Sequence, residues 1–477
     1  MSDRWTRREV RDTARAAAAL GAVRGGSDTI AAIATATGRG AIALVRMSGP
    51  SAESIAARIV DPWPIPPRFA TLARVRDPAT NATIDQALIT RFEHGHSFSG
   101  ESMVEISTHG GSVSSALVLA ALVEAGARQA LPGEFTRRAV LNGRLTLAQG
   151  EAIGDIIDAT SRSAQRVALD ALDGGLVRRV LGLRDALLEV EALIAYDIDF
   201  PEEDDGPIPA ARITDGAERV VTLLEALIAT APAGELVRDG ALVVLAGPPN
   251  AGKSALFNAL LGDARALVTP IPGTTRDAIE AVIDGPVWPL RLVDTAGLRE
   301  SADTIEKLGI EVSERYLGRA QIVLACGESV EEITATRRRI AALSTAAVIG
   351  VLTKRDVAPT VRGQRRSLDA GGCVAVSAET GEGLGALLEK IEQTLAASVV
   401  VIAPDTPIVT RARHLAALRI ARDEMRQFTS SWSAGELPAP VIAVHLRAAV
   451  AALEDLVGVV DTEDVLDRVF RSFCVGK

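Results

Sequence analysis

Apolar and polar positions change rhythm several times along the chain, and each change marks a different kind of element. Ile42, Ala43, Leu44 and Val45 form an unbroken apolar run closed by Ser48, Gly49 and Pro50, which predicts a buried strand. Pro62, Pro64, Pro66 and Pro67 mark a connection. Segments around residues 84–92 and 103–107 predict further strands, followed by the turn pair Gly110-Gly111. The period then becomes helical, with Leu176, Val180, Leu183, Leu187, Val190 and Ile194 on one face. An acidic, proline-containing stretch at residues 197–209 interrupts it and predicts a solvated loop between helices. Strands alternate with helices from Leu242 to about Leu395. After Pro404 and Pro407 helical spacing returns, first at Leu418, Ala421, Met425 and Phe428, then at Leu446, Val450, Leu453 and Val457.

These changes predict a multidomain chain. Residues 28–142 read as an α+β domain, and residues 143–234 and 401–477 as two parts of one all-α helical domain. Residues 235–400 read as an α/β domain inserted between those parts. Residues 1–27 read as a disordered extension or a generous choice of start codon. Arg4, Arg7, Arg8, Arg11, Arg15 and Arg24 flank an alanine run there, but Asp3, Glu9 and Asp12 are too acidic for a transit peptide.

Composition narrows the function classes. At 477 residues the chain exceeds what one core supports, so two to four domains are expected. A formal net charge of -10 gives no global basic field, so any RNA contact must come from local patches. The three cysteines, Cys326, Cys373 and Cys474, are far apart, which fits a reducing cytoplasm better than a disulfide framework. No apolar run looks long and charge-free enough to cross a bilayer, so no membrane partner is expected.

The chemistry concentrates between residues 247 and 378. After the apolar run 241–246 comes Gly247-Pro248-Pro249-Asn250-Ala251-Gly252-Lys253-Ser254, continued by Ala255 and the helical positions Leu256 and Leu260. This is G-x-x-x-x-G-K-S between a strand and a helix, where backbone N–H groups and the helix dipole cradle phosphates. Lys253 neutralises β- and γ-phosphate charge, and the Ser254 hydroxyl suits Mg²⁺. Asp294-Thr295-Ala296-Gly297 follows the next strand, with Asp294 for the magnesium shell and the Gly297 N–H to sense the γ-phosphate. Between them lies Gly273-Thr274-Thr275-Arg276-Asp277, where Thr275 completes the Mg²⁺ contact of switch I. Thr353-Lys354-Arg355-Asp356 reads the base. Asp356 accepts from guanine N1–H and the exocyclic amine, which adenine cannot offer, and Lys354 lies along the ring. Asn usually holds the first position, so Thr353 weakens one purine contact and leaves the guanine-reading carboxylate. Ser377-Ala378 supplies the further base loop. The nucleotide is therefore GTP.

Hydrolysis leaves alternatives open. Leu298 stands where Ras-like proteins place a water-orienting Gln. The missing positive charge comes either from Arg276 as an arginine finger or from a monovalent cation held by Asn250 and switch I carbonyls.

With these motifs in place the chain resembles the MnmE (TrmE) family of tRNA-modification GTPases over all but residues 1–27. The marks are Gly38-Arg39-Gly40-Ala41-Ile42, Gly100-Glu101, His109-Gly110-Gly111 and Pro132-Gly133-Glu134-Phe135-Thr136. Leu141-Asn142-Gly143-Arg144, Leu147-Ala148-Gln149, Asp199-Phe200-Pro201 and the terminal Phe473-Cys474-Val475-Gly476-Lys477 continue them. The resemblance implies an N-terminal folate-binding domain that makes a homodimer, a helical domain and an inserted Ras-like G domain. It implies a heterotetramer with the partner MnmG (GidA), which alone carries FAD. Together they would place an aminomethyl or carboxymethylaminomethyl group on the 5-position of the tRNA wobble uridine, drawing a one-carbon unit from a tetrahydrofolate, in methylene or 5-formyl form. It also implies K⁺ held by Asn250, Thr269, Ile271 and Thr274, Mg²⁺ held by Ser254 and Thr275, and a water-orienting Glu306. Folate contacts would be Arg46, Glu105, Arg144 and Lys477, and Cys474 would act near the modification site.

A ribosome-assembly GTPase of the Era/EngA type is the competing reading, and the Phe473–Lys477 terminus with the folate-type domain speaks against it. Base reading gives a first prediction. Asp356→Asn shifts preference from guanine to xanthine nucleotides, because an amide donates where the carboxylate accepted. Competition binding with GDP and XDP checks this, and an unchanged preference removes Asp356 from the base site.

Overall fold

The computed structural model describes residues 28–36, 38–199, 209–263, 279–285, 287–294, 315–356, 372–398, 407–435, 437–458, 466, 469–470 and 473–476. The chain divides into two compact units. One joins Met1–Gly154, Ala171–Val220 and Ile420–Lys477, and the other joins Asp155–Asp170 and Val221–Arg419.

The first unit holds a seven-stranded sheet. Its strands are β1 (Ile30–Ile33), β2 (Ile42–Ser48), β3 (Val60–Asp61), β4 (Thr71–Arg76), β5 (Thr83–Phe92), β6 (Met103–His109) and β7 (Arg128–Gln129). They lie in the order β3-β4-β5-β6-β2-β1-β7. All neighbours are antiparallel except β1 and β7. Alternate residues of β2, Val45 and Met47, face a core shared with Ile89, Ile106, Val118 and Leu122. Helices Ala52–Ile59 and Ser112–Glu124 contribute Ile55, Ile59, Val118 and Leu122 to that core.

A buried ion network ties the rest of this domain together. Arg138 of helix Glu134–Leu141 has a side chain only 3% exposed. Its guanidinium donates to Glu101 at 3.2 Å, to Asp28 at 2.7 Å and to Glu134 at 3.1 Å. Glu101 in turn accepts from the Ser48 hydroxyl at 2.7 Å. A buried guanidinium is tolerated only when so surrounded, and removing one partner typically costs about 3–5 kcal/mol. The network anchors the loop 95–101, which Asn142 also holds by donating to the Ser99 carbonyl at 2.8 Å.

The unit's helical part joins a mid-chain helix to one near the C-terminus. Helix Gly175–Asp199 buries Leu176, Val180, Leu183, Leu187, Val190 and Ile194, and helix Ala439–Val457 buries Leu446, Ala449, Leu453 and Leu456. Arg184 donates to Glu454 at 2.8 Å and Arg447 to Glu191 at 3.1 Å between them. The first of these helices continues through Asp199, so residues 197–199 are helical where a loop was expected; the rest of that stretch, residues 200–208, lies outside the described residues. The C-terminal tail lies against the sheet domain. Val475 forms an antiparallel bridge with Pro132, and Gly133 N–H donates to the Cys474 carbonyl at 3.2 Å. Gly476 passes so close to β1 that a Cβ there would sit 2.5 Å from the Ile33 carbonyl oxygen.

The second unit is an α/β domain. Its strands are β8 (Ala241–Ala246), β9 (Ile279–Asp284), β10 (Pro289–Asp294), β11 (Ile322–Gly327), β12 (Ala347–Leu352) and β13 (Cys373–Ala375), ordered β13-β12-β11-β8-β10-β9. All neighbours are parallel except β9 and β10. Every residue of β8 is buried, as expected for a central parallel strand covered on both faces. Successive parallel strands β10 and β11 flank β8 on opposite sides, so the chain switches direction at the C-terminal end of β8, where α/β sheets bind ligands.

One expectation is corrected here. Ala210–Asp239 is long and apolar enough to cross a membrane by length and composition. It consists of two helices, Ala210–Ile228 and Ala231–Asp239, and Ile213, Ala217, Val220, Leu224 and Leu227 are buried in protein.

The ion network sets an acid limit on stability. Burial raises the Glu134 carboxyl, but hydrogen bonds from Arg128, the Leu131 N–H and Arg138 outweigh it and hold the group below its usual value of 4.5. The Arg128 hydrogen bond likewise lowers Asp28 from 3.8, against burial and with help from Arg138. A depressed folded pKa gives stability that is present above the unfolded value and is lost as pH falls through the folded one. Thermal midpoints should therefore hold down to about pH 5 and fall below about pH 4.5. Arg128→Gln should flatten that acid limb in circular-dichroism melts; an unchanged slope would exclude Arg128 as its cause.

Candidate functional site

The turn after β8 is built by backbone meeting backbone. A Cβ on Gly247 would lie 2.3 Å from the Cys326 carbonyl oxygen at the end of β11, so only glycine lets the loop start there. Asn250 adopts φ 60°, a left-handed value that asparagine tolerates, and the turn then feeds helix Lys253–Asp263. Lys253 is buried and its ammonium donates to the carbonyls of Pro248 at 2.7 Å and Gly247 at 3.2 Å, so it crosses the mouth of its own loop. Ser254 donates its hydroxyl to Asp294 Oδ2 at 2.5 Å, and Asp294 is 1% exposed. The loop and β10 thus bring together the hydroxyl and carboxylate expected at the Mg²⁺ position. Ala251 is buried beneath the turn and Ala255 is exposed on the helix. Behind the turn, burial pushes the Cys326 thiol up to about 12, so it is a neutral packing group and not a nucleophile.

The residues expected to read the base converge at the ends of β12 and β13. Asp356 Oδ1 accepts from the buried Ser377 hydroxyl at 2.8 Å, which joins the two base loops and fixes the carboxylate. Ala378 continues that loop and is half-buried. Lys354 stands at φ 53° with its ammonium on Glu328 Oε1 at 2.5 Å. Thr353 is 5% exposed, and its hydroxyl faces the Ala251 carbonyl at 2.9 Å and the Gly327 carbonyl at 3.2 Å. It is a tether between the base loop and the phosphate loop. Sequence reasoning treated Thr353 only as a weaker base contact and missed both this tether and the partner Glu328. Glu328 directly follows β11, one position after the strand's last apolar turn, and that was its only signal.

A second constellation lies on the sheet of the first unit. Arg46 of β2 and Glu105 of β6 are register partners, and Nη2 donates to Oε1 at 2.7 Å. The guanidinium lies 5.6 Å from the Phe98 ring centre and 5.7 Å from that of Phe135, and Nη1 donates to the Gly476 carbonyl at 3.3 Å. Arg46 Nε is buried without a hydrogen-bond acceptor. Arg144 donates to the Gly95 carbonyl at 3.3 Å, on the loop that also carries Phe98. One loop therefore supports two of the expected folate contacts. Phe98 and Phe135 were not read from the sequence as site residues. Cys474 is exposed.

The expected residues Thr269, Ile271, Thr274, Thr275, Arg276, Thr295, Ala296, Gly297, Leu298, Glu306 and Lys477 lie outside the described residues.

Comparison with known proteins covers nearly the whole described chain. A family profile described as GTP-binding protein TrmE N-terminus matches residues 29–144, and one described as MnmE helical domain matches residues 147–474. Curated relatives named tRNA modification GTPase MnmE include that of Azoarcus sp., 42% identical over 455 residues, covering 94% of this chain and 98% of the relative. That of Akkermansia muciniphila is 42% identical, covering 94% and 99%, and that of Moorella thermoacetica 38% identical, covering 94% and 99%. Among solved structures, the G domain of the T. maritima FeoB iron transporter is 30% identical and covers 32% of this chain and 98% of its own. Its TM-score is 0.25.

The contact at Gly247 gives a direct test. Gly247→Ala should push the phosphate loop off β11 and weaken GDP binding at least tenfold. Gly262→Ala, on the helix after the loop with nothing within 4 Å, should leave binding unchanged. Titration of a fluorescent GDP analogue reads both, and equal affinities in the two variants would sink the packing argument.

Proposed function

We infer what this chain does from an established premise: it belongs to the MnmE family of tRNA modification GTPases, and it hydrolyses GTP in tRNA modification. We propose further that hydrolysis depends on K⁺ and drives a folate-dependent reaction at the wobble uridine, carried out with MnmG (GidA). The observation that carries the folate reading is the meeting of Arg46, Glu105 and the C-terminal tail on one sheet face. A guanidinium with a spare buried N–H, flanked by two phenyl rings, suits a ligand that is part flat ring and part carboxylate. Arg144 on the adjoining loop supplies a second cation for a dicarboxylate tail, with Lys477 proposed beside it. The Cys474 thiol is exposed two residues from the Gly476 carbonyl that Arg46 holds, which supports a place for it beside the one-carbon unit.

In the G domain the chain's own groups divide the work. Lys253 is caged among loop carbonyls until an anion competes for it, then follows the phosphates. Ser254 and Asp294 present hard oxygens side by side, and they fit Mg²⁺, which when bound neutralises charge on the phosphate oxygens. Asn250 offers an amide oxygen from a left-handed turn at the loop's tip, which suits K⁺ together with Thr269, Ile271 and Thr274. Thr275 completes the Mg²⁺ set, and Glu306 orients the attacking water. Asp356, braced by Ser377, selects guanine. We place the protein in the cytoplasm as a homodimer through its folate domain, joined by MnmG in a heterotetramer that binds tRNA.

Three measurements test this reading. Turnover should rise steeply with KCl and stay low in NaCl at equal ionic strength, by on the order of 10²–10³ for one lost electrostatic element. Asn250→Ala should abolish the K⁺ response and Arg276→Ala should keep it; the reverse would make Arg276 the finger. Calorimetric binding of 5-formyltetrahydrofolate should weaken at least tenfold in Arg46→Met, a loss of about 1.4 kcal/mol. Nucleoside mass spectrometry of tRNA from a deletion strain should show unmodified wobble uridine, and its absence there would overturn the tRNA assignment.

A further inference from the structure

Thr353 has one proton to give, and the protein takes it. A hydroxyl carries a single O–H donor, whereas an amide carries two N–H donors. The Thr353 hydroxyl is within donating distance of the Ala251 carbonyl, at 2.9 Å, and of the Gly327 carbonyl, at 3.2 Å. At 5% exposure it sits among backbone, with the Gly252 turn packed against its Cβ. An asparagine at this position can spend one N–H on the tether and keep the other for the acceptor N7 on the purine's Hoogsteen edge. Threonine cannot serve both.

We propose that this chain reads guanine through its Watson–Crick edge alone, with no side-chain donor from position 353 to N7, so that guanine nucleotides altered at N7 are bound as well as GDP and GTP. The proposal deepens the guanine reading at Asp356 and rests on it. Asp356 is fixed by the Ser377 hydroxyl at 2.8 Å, so the carboxylate has its geometry without help from residue 353. Lys354 is occupied with Glu328 at 2.5 Å, so its ammonium already has a carboxylate partner. The ligand class that follows is the 7-deaza guanine nucleotides, in which a C–H replaces the N7 acceptor.

The decisive probe is 7-deaza-GDP against GDP on the full-length chain, by competition with a fluorescent GDP analogue. The expected dissociation constants agree within about twofold. A loss of fivefold or more for 7-deaza-GDP, the size of one neutral hydrogen bond, would overturn the proposal. Thr353→Asn should create the missing discrimination, with GDP preferred over 7-deaza-GDP by about fivefold. If that variant folds, by an unchanged melting profile, and still binds both alike, position 353 does not face N7 and the proposal fails. Thr353→Val, close in shape, should weaken both nucleotides equally by removing the tether. A loss confined to GDP would show the hydroxyl reaching N7 and would also overturn it. GDP against ADP on the unaltered chain separates the two readings. If guanine is not preferred there, the Asp356 assignment has failed; if it is preferred and 7-deaza-GDP is rejected, only the Thr353 inference has.

Discussion

The nucleotide site depends on one close approach of backbone to backbone, where the loop after β8 starts against the end of β11. At that point a Cβ on Gly247 would lie 2.3 Å from the Cys326 carbonyl oxygen. Because the two segments touch there, the phosphate loop and the first residues after β11 are held at a fixed separation. Everything that follows uses that separation. Thr353, just after β12, reaches Ala251 in the phosphate loop and Gly327 at the end of β11 with the same oxygen. Lys354 then meets Glu328, the next residue after β11. Three adjacent parallel strands therefore end in one interlocked surface, and neither base nor phosphate recognition can shift without the other.

The sheet domain solves a different problem, that of burying charge. Arg138 at 3% exposure would be ruinous alone, since an unpaired guanidinium in the interior costs several kcal/mol. Its partners Glu101, Glu134 and Asp28 come from a loop, from its own helix and from the start of β1's approach, so neutralising it also fixes their relative positions. The loop fixed in this way carries Phe98 against Arg46 and the Gly95 carbonyl against Arg144. An ion network with no contact to ligand can thus hold the residues that would make such contact.

How much of this was legible in the sequence follows from which forces act locally. The central parallel strand at 241–246 was read to the residue, because burial on both faces leaves an unbroken apolar run. The phosphate loop was legible because its chemistry is local in sequence. β1 and β7 were not, being four and two residues long and defined only by their neighbours. β4 was hidden because Ala73 and Val75 face the core while Leu72 is exposed, which inverts the expected contrast. The charge network was hidden more deeply. The i,i+4 spacing of Glu134 and Arg138 hinted at a pair, but Asp28 and Glu101 join only through the tertiary fold. The same holds for Thr353, whose two acceptors lie 102 and 26 residues away.

The exchange of amide for hydroxyl at Thr353 is intelligible from what each purine edge tells a protein. N7 is present in adenine and guanine alike, so a contact to it adds affinity and carries no information about which purine is bound. The N1–H and the exocyclic amine at position 2 occur together only in guanine, and Asp356 is the group proposed to accept from both. Selectivity and affinity are therefore separable at this site. The interlock between strands requires a donor at position 353, and the base-reading carboxylate has its own brace in Ser377. A residue that keeps the interlock and gives up the N7 contact lowers affinity while leaving guanine selection where it was.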